Sequence, residues 1–274
     1  MSVVTSLAIR IGCEFVFENE TSSPTPAVFL VRPDERATRI RAEHWSADPA
    51  SPHHDYRDVY GNVCRRLNLP PGITTLRYDT VADVPPSPAE TDWSAQEILV
   101  AELPDETLLY TLPSRLCPSD EISDRAWELF GGVTPGWTRV QAICDWVHGH
   151  LKFSYGTSRP HTTAADVLEA GTGVCRDFAQ LAVTFCRALN IPARYAFGYM
   201  PDIGVPPTDA VMDFCAWFEA YLGGRWWTFD PRNNQRRIGH IPIAHGRDAI
   251  DTAMVTTYGS ARLDKMTVWA DQTE

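Results

Sequence analysis

The spacing of apolar residues changes along this chain, and that change limits the folds open to it. Residues 7–17 carry an apolar side chain at every second position, which predicts a half-buried β-strand. Residues 27–31, 74–84 and 97–103 predict further strands, separated by segments rich in Pro, Ser and Asp. From residue 119 onwards the apolar residues recur at helical spacing instead. Strands followed by helices predict an α+β fold.

The second half of the chain starts with helices and ends with strands. Helices are predicted up to Phe130, from Thr134 to about Leu151, and from Thr163 to Ala170. We therefore expect an N-terminal β-rich domain over residues 1–115. A core of helices packed on an antiparallel sheet is expected over residues 116–274.

The composition is that of a globular protein with an acidic surface. Of 274 residues, 44% are hydrophobic and 22% are charged, so the chain can bury a full core. The 24 Lys and Arg residues against 35 Asp and Glu give a net charge of −11, which argues against nucleic acid or an anionic membrane as a partner. No apolar run is long enough to span a bilayer, and the N-terminus lacks the pattern of a signal peptide.

The cysteines favour a reducing compartment. There are 7 of them, an odd number, and no pair has the spacing C-x-x-C. That pattern argues against a zinc ribbon and against a secreted disulfide framework. We expect a cytoplasmic protein.

Cys175 stands at the predicted start of a long apolar helix. Gly173 precedes it, and Asn190 and Pro192 end the helix. The unpaired amides and the dipole of a helix N-terminus favour a thiolate, and the same amides can bind an oxyanion. A nucleophile and part of an oxyanion hole are one interpretation of this pattern, and a small buried core residue is the other.

Two strands with a glycine turn follow that helix. The strand predicted at residues 214–221 places Cys215 and Trp217 on the same face. A Gly-Gly pair predicts a hairpin turn into a second strand, and Asp230 stands directly after it.

Together, the cysteine at a helix start, the strand x-A-W-x-E-x-Y-L, the Gly-rich hairpin and the closing F-D-P resemble the transglutaminase-like superfamily. Three further elements resemble its bacterial cysteine-peptidase members and extend the likeness over nearly the whole chain: D-x-x-G-N at Asp58–Asn62, T-A-x-x-V-L at Thr163–Leu168 and R-A-L-x-I-P-A-R-Y at Arg187–Tyr195. The resemblance implies a papain-like core with a Cys–His–Asp triad. It implies no metal and no organic cofactor.

The resemblance also implies acyl-group chemistry through a thioester on Cys175. The reaction is amide hydrolysis, amide formation or acyl transfer. The expected substrate is a peptide, an amide or an acyl thioester, including one bound to a carrier protein. The sequence does not determine the oligomeric state.

One position departs from the family pattern. Cys215 occupies the place of the triad histidine, so the predicted catalytic residues are Cys175, Cys215 and Asp230. A thiol transfers protons less well than an imidazole, and the loss of the imidazolium removes what usually lowers the pKa of the nucleophile. His161 or His240 is a candidate replacement for the missing base.

Four interpretations of Cys215 stay open. In the first, the enzyme accepts activated acyl thioesters, and the second thiol shuttles the acyl group. Alternatively, the two cysteines form a redox pair, which needs Cα atoms ~4.4–6.8 Å apart. A third interpretation is a metal site of two thiolates, Asp230 and a nearby histidine. The fourth is an inactive scaffold kept as a binding module, or an engineered substitution.

Residues near the motifs complete the predicted site. Five of them are predicted to line the cleft: Tyr155, His161, Arg176, Asp177 and Trp217. A basic patch of Arg232, Arg236 and Arg237 follows Asp230 and is a candidate site for a carboxylate or phosphate group of the substrate.

Overall fold

The computed structural model describes residues 6–206 and 211–273, and its helices and antiparallel sheets form the predicted α+β fold. The strands are β1 (Leu7–Asn19), β2 (Thr25–Phe29), β3 (Arg39–Asp48), β4 (His53–Arg57), β5 (Val63–Leu69), β6 (Gly72–Val84), β7 (Lys152–Phe153), β8 (Thr172–Gly173), β9 (Ala193–Tyr199), β10 (Cys215–Leu222), β11 (Arg225–Phe229), β12 (Ile241–Gly246), β13 (Val255–Thr257) and β14 (Arg262–Gln272). The helices are α1 (Asp105–Leu108), α2 (Ser123–Phe130), α3 (Trp137–His150), α4 (Ala164–Ala170) and α5 (Cys175–Ala188). In the ranges described, no helix has the length and apolar character needed to cross a membrane.

Two four-stranded antiparallel sheets enclose the first hydrophobic core. Their strand orders are β14-β1-β6-β3 and β13-β2-β5-β4. The alternating residues Ile9, Ile11, Cys13 and Phe15 of β1 are fully buried between the sheets, as the period of two predicts. We call this pair of sheets the sandwich.

The last two strands of the chain belong to the sandwich. β14 pairs with β1 along most of its length, and β13 pairs with β2. The prediction that residues 116–274 form one core unit was therefore wrong for these strands. Met266, Val268 and Ala270 of β14 alternate towards the core of the sandwich, but such alternation predicts a strand without indicating its partner.

A third antiparallel sheet, β11-β10-β9-β12, lies between the sandwich and the helices. Leu181 and Phe185 of α5 pack with Phe218 of β10 in the helical core. Tyr199 of β9 and Ile243 of β12 pack into the core of the sandwich. Because both faces are covered, this sheet is rigidly held, and it carries Cys215 at the start of β10 and Asp230 just after β11.

The strand predicted at residues 97–103 was wrong. Leu99 is 71% exposed, and Val100–Glu102 form one turn of 3₁₀ helix. Two contacts hold the segment against the C-terminal half of the chain. The Gln96 carbonyl accepts a hydrogen bond from the Gly223 amide (2.8 Å), and Glu97 pairs with Arg139 (2.8 Å).

Asn62, in the D-x-x-G-N element, fastens the sandwich to the third sheet. It is buried, and its amide side chain accepts from the His245 N–H (2.9 Å) and donates to the His245 carbonyl (2.8 Å). The Asp58 carboxylate in turn accepts from the Asn62 side chain (2.9 Å). This motif is therefore structural: one side chain satisfies both backbone groups of a buried strand residue.

Glu219 of β10 forms a buried ionic cluster beside this contact. Its carboxylate bonds Arg194 (2.5 Å) and lies 3.3 Å from the His245 ring. Burial alone would raise the pKa of Glu219, but His245 and Arg194 outweigh it and lower the pKa to about 2.

The depressed pKa makes this cluster acid-sensitive. Glu219 stabilises the fold fully above the ordinary pKa of 4.5, and the contribution disappears as pH falls through about 2. We expect wild type to lose about 3 kcal/mol more free energy of unfolding than Glu219→Gln over that interval. Urea unfolding at pH 7, 4 and 2 measures this difference. Parallel pH dependences of the two proteins would contradict it.

Candidate functional site

The turn into α5 is built so that Cys175 begins the helix. The Asp177 carboxylate accepts hydrogen bonds from the Val174 N–H (2.8 Å) and the Ser158 hydroxyl (2.9 Å). A Cβ on Gly173 would lie 2.7 Å from the Asp177 Cβ, so this position requires glycine. The position of the Cys175 backbone is therefore fixed by its own first turn.

Cys175 and Cys215 lie together as a pair of free thiols. The hydrogen bond from the Cys215 thiol is the main cause that lowers the pKa of Cys175. Burial opposes this effect, whereas the Ala216 N–H and the Arg232 guanidinium reinforce it. The same hydrogen bond, followed by burial, raises the pKa of Cys215 well above its ordinary value. Of the two thiols, Cys175 is therefore the one that ionises more readily.

Asp230 is buried, and its hydrogen bonds go to its own loop. Its two oxygens accept from the Asn233 N–H (3.0 Å) and side-chain amide (2.6 Å). The His240 Nε2 lies 3.6 Å from the same carboxylate. Burial raises the pKa of Asp230, but His240 and Asn233 outweigh it, so the net pKa is lowered and the carboxylate stays charged.

The two candidate substitutes for the triad histidine lie in different places. The His240 ring packs against the edge of Trp217, with centroids 4.8 Å apart, and its ring nitrogens have no hydrogen-bond partner in the part of the chain described. It faces a cavity of about 90 Å³ that adjoins Asp230 and is distinct from the one that holds the thiols. His161 is exposed, in the loop before α4.

The thiols open into a cleft of about 490 Å³. Apolar side chains, including Phe153, Met200, Val205 and Phe214, form much of its described lining. Its polar lining residues are Asp202, Asp213, Arg232, Gln235 and Arg237. Such a cleft suits a largely apolar ligand with a few polar groups.

Of the five predicted cleft-lining residues, Tyr155 lines the cleft and is 64% exposed. The other four do not, so their prediction was wrong. Asp177 and Trp217 are fully buried, because one caps α5 and the other packs beneath the sheet face. Arg176 bonds the Arg159 carbonyl (2.7 Å) and the Ser158 side chain, which turns it away from the thiols.

The predicted basic patch divides into three separate roles. Arg237 is buried and pairs with Asp202 (2.8 Å). Arg236 donates to the Ala89 carbonyl (3.0 Å). Arg232 lies over the Phe153 ring at 4.5 Å, and no carboxylate of the described residues is within salt-bridge distance of it. Arg232 is thus the member of the patch that offers its charge to the thiol cleft.

The candidate metal site of two thiols and Asp230 is not assembled. The Asp230 oxygens are bonded to Asn233, and in the described ranges no three His, Cys, Asp or Glu side chains converge as metal ligands would. No motif in the sequence pointed to Asn233. The signal for it is its position three residues after Asp230, in a turn directly after a strand.

A cysteine at the N-terminus of a helix that packs on an antiparallel sheet, with Asp230 after a neighbouring strand, defines a transglutaminase-like core. Residues 124–231 match the model of the transglutaminase-like superfamily, and they form such a core domain here. This fold supports thiol-enzyme acyl chemistry in general.

Known proteins resemble the chain over most of its length. An uncharacterized protein of Mycobacterium leprae is 28% identical over 262 residues, 90% of this chain and 91% of that protein. An uncharacterized protein of Mycobacterium tuberculosis is 26% identical over 87% of this chain and 82% of its own length. The crystal structure of a candidate cysteine protease from Cytophaga hutchinsonii is 29% identical and superposes with a TM-score of 0.86, covering 98% of this chain and 91% of that one.

Proposed function

We propose that Cys175 is a nucleophile that takes an acyl group from an activated donor and holds it as a thioester. The observation that carries this proposal is that Cys175 and Cys215 line one cleft, where the neighbouring Cys215 lowers the pKa of Cys175. The nucleophile is thus activated by a second thiol where an imidazole usually does so.

The missing imidazole limits the choice of substrate. The Cys175 thiolate attacks the carbonyl carbon, a C–S bond forms, and the first-turn amides of α5 stabilise the oxyanion. A thiolate leaving group departs without a proton, whereas an amine must be protonated as it leaves. Since the pKa of Cys215 is raised, its thiol is a weak acid for that task. Acyl thioesters are therefore the proposed substrates in preference to amides.

The cleft lining is consistent with this choice. Its apolar side chains would contact the acyl chain, and Arg232 would pair with an anionic group of the donor. A thioester on the phosphate-bearing arm of a carrier protein has both features. The acceptor is a second thiol or an amine, because no general base for water is assigned at the thiols.

A binding module on an inactive scaffold is the second candidate. The observation that favours it is the thiol at position 215 itself, since Asp230 has His240 and not a triad imidazole as its neighbour. In that case Cys175 would react no faster than an ordinary exposed thiol, and Cys175→Ala would change no binding property of the protein.

We expect a short-chain acyl thioester to acylate wild-type protein at one cysteine, and Cys175→Ala to remain unmodified. Intact mass and peptide mapping locate the acyl group. The internal controls are the five buried cysteines, Cys13, Cys64, Cys117, Cys144 and Cys186. Iodoacetamide labelling across pH should titrate Cys175 below the ordinary thiol range. No acylation, together with labelling at the rate of a free thiol, would overturn the acyl-transfer proposal and leave the binding module.

A further inference from the structure

The chain holds two pairs of neighbouring thiols in very different surroundings. Cys175 and Cys215 line the same cleft, and Cys175 packs against the cluster that contains Ala216, the neighbour of Cys215. Cys144 and Cys186 lie inside the helical core and are at most 1% exposed. Burial, with Cys186 as the next cause, raises the pKa of Cys144 well above its ordinary value. Of these two pairs, Cys175 and Cys215 are the pair that a small oxidant can reach through the cleft.

We propose that Cys175 and Cys215 are a site of reversible oxidation by hydroperoxides, with Cys175 as the reacting thiol and Cys215 as the resolving thiol. The Cys175 thiolate attacks the peroxide O–O bond, which leaves Cys175 as a sulfenic acid and releases hydroxide or an alkoxide. The Cys215 sulfur then attacks the sulfenic sulfur, an S–S bond forms, and water departs with the proton of Cys215. The peroxide is the two-electron oxidant, and a dithiol reductant reverses the reaction.

The local backbone suits this second step. Cys175 is the first residue of α5 and Cys215 is the first residue of β10. Each thiol therefore lies at the start of a regular element, where α5 meets β10. Both thiols line one cleft at the contact of α5 with β10, so the two side chains are neighbours, as a disulfide requires.

Electrostatics favour the same order of events. The thiolate on Cys175 is a main reason that Cys215 resists ionisation. Conversion of that thiolate to a neutral sulfenic acid removes the negative charge beside Cys215, while the Arg232 guanidinium still favours its thiolate. The first oxidation thus activates the resolving thiol.

Disulfide formation would use both sulfurs of the proposed acyl site and block it until reduction. The oxidation itself does not depend on the proposed acyl chemistry, because it needs only the thiolate and its neighbour. The two proposals can therefore fail separately.

We expect stoichiometric hydrogen peroxide to remove two hydrogens from wild-type protein and to link the peptides of Cys175 and Cys215. Cys215→Ser should instead gain oxygen at Cys175, be trapped by a sulfenic-acid reagent, and form at least about tenfold more sulfinic acid. Cys186→Ala, a control in the other pair, should behave as wild type. Intact mass before and after a dithiol reductant, with peptide mapping, measures each species.

Two results would overturn the inference. One is equal over-oxidation of Cys175 in wild type and in Cys215→Ser, because Cys215 would then resolve nothing. The other is a disulfide that maps to Cys144 and Cys186 while Cys175 and Cys215 stay reduced. Loss of acyl transfer without either result would count against the proposed function alone.

Discussion

Cys215→His is expected to raise the hydrolysis of a chromogenic ester or amide by about 10²–10⁴-fold, the usual contribution of a general acid–base group. The imidazole would stand between the Cys175 thiol and the Asp230 carboxylate. It would take the proton of the nucleophile, return it to the leaving group, and be oriented by Asp230. Initial rates of wild type and variant across pH measure the gain.

Two matched variants separate this effect from a change in shape. Cys215→Ser preserves the size of the side chain but supplies no base, so its hydrolysis should not rise. Cys175→Ala combined with Cys215→His should be inactive, because the nucleophile is gone. If Cys215→His folds but hydrolyses the substrate at the wild-type rate, the lack of an imidazole at position 215 is not what limits hydrolysis.

Arg187→Met is expected to cost about 3–5 kcal/mol of the free energy of unfolding, because a hydrogen bond from a charged donor contributes about 1.5–3 kcal/mol and Arg187 makes several. Arg187 is 2% exposed, at the end of α5. Its guanidinium donates to the carbonyls of Ala193 (2.8 Å), Arg247 (2.6 Å) and Leu112 (3.3 Å). Loss of the donors leaves the buried Ala193 carbonyl without this partner and removes a link between three separate segments.

Urea unfolding at neutral pH checks this expectation. Arg125→Met is the control, because Arg125 is exposed on α2 and pairs only with Glu128. A surface change of that kind should stay within about 0.5 kcal/mol. Similar losses for both variants would mean that the Arg187 hydrogen bonds contribute little to stability.

Local patterns predicted the regular elements well. The apolar residues that recur at every second position over residues 7–17 are those that β1 buries, since one face of that strand packs on the core of the sandwich. The helix predicted after Gly173 is α5, and Cys175 begins it. Both predictions succeed because burial on one face determines the spacing of apolar residues.

Those local patterns could not predict contacts between residues far apart in the sequence. The pairing of β14 with β1 joins segments about 250 residues apart, and alternation within a strand does not indicate which distant strand it pairs with. Asp177 and Trp217 were expected in the cleft because they neighbour the motifs in sequence. The structure buries both side chains. Asp177 turns back to cap α5 and Trp217 packs beneath the sheet, and the direction of a side chain does not follow from its distance to a motif in sequence.

The site itself could be predicted only in part from the sequence. The motifs indicated that Cys175 and Cys215 would meet, because the family pattern fixes both. The contact of His240 with Asp230 depends on the path of the chain after β11, through a turn that Asn233 holds by its hydrogen bonds to Asp230. No spacing rule in the sequence determines that path.

The pairing of β1 with β14 has a consequence for synthesis of the chain. During translation β1 emerges about 250 residues before β14, one of its two neighbours. Until β14 follows, the nascent chain exposes an unpaired strand edge backed by an apolar face, a template for association with other chains. A cell making this protein must keep that edge covered while the ribosome synthesises the intervening residues.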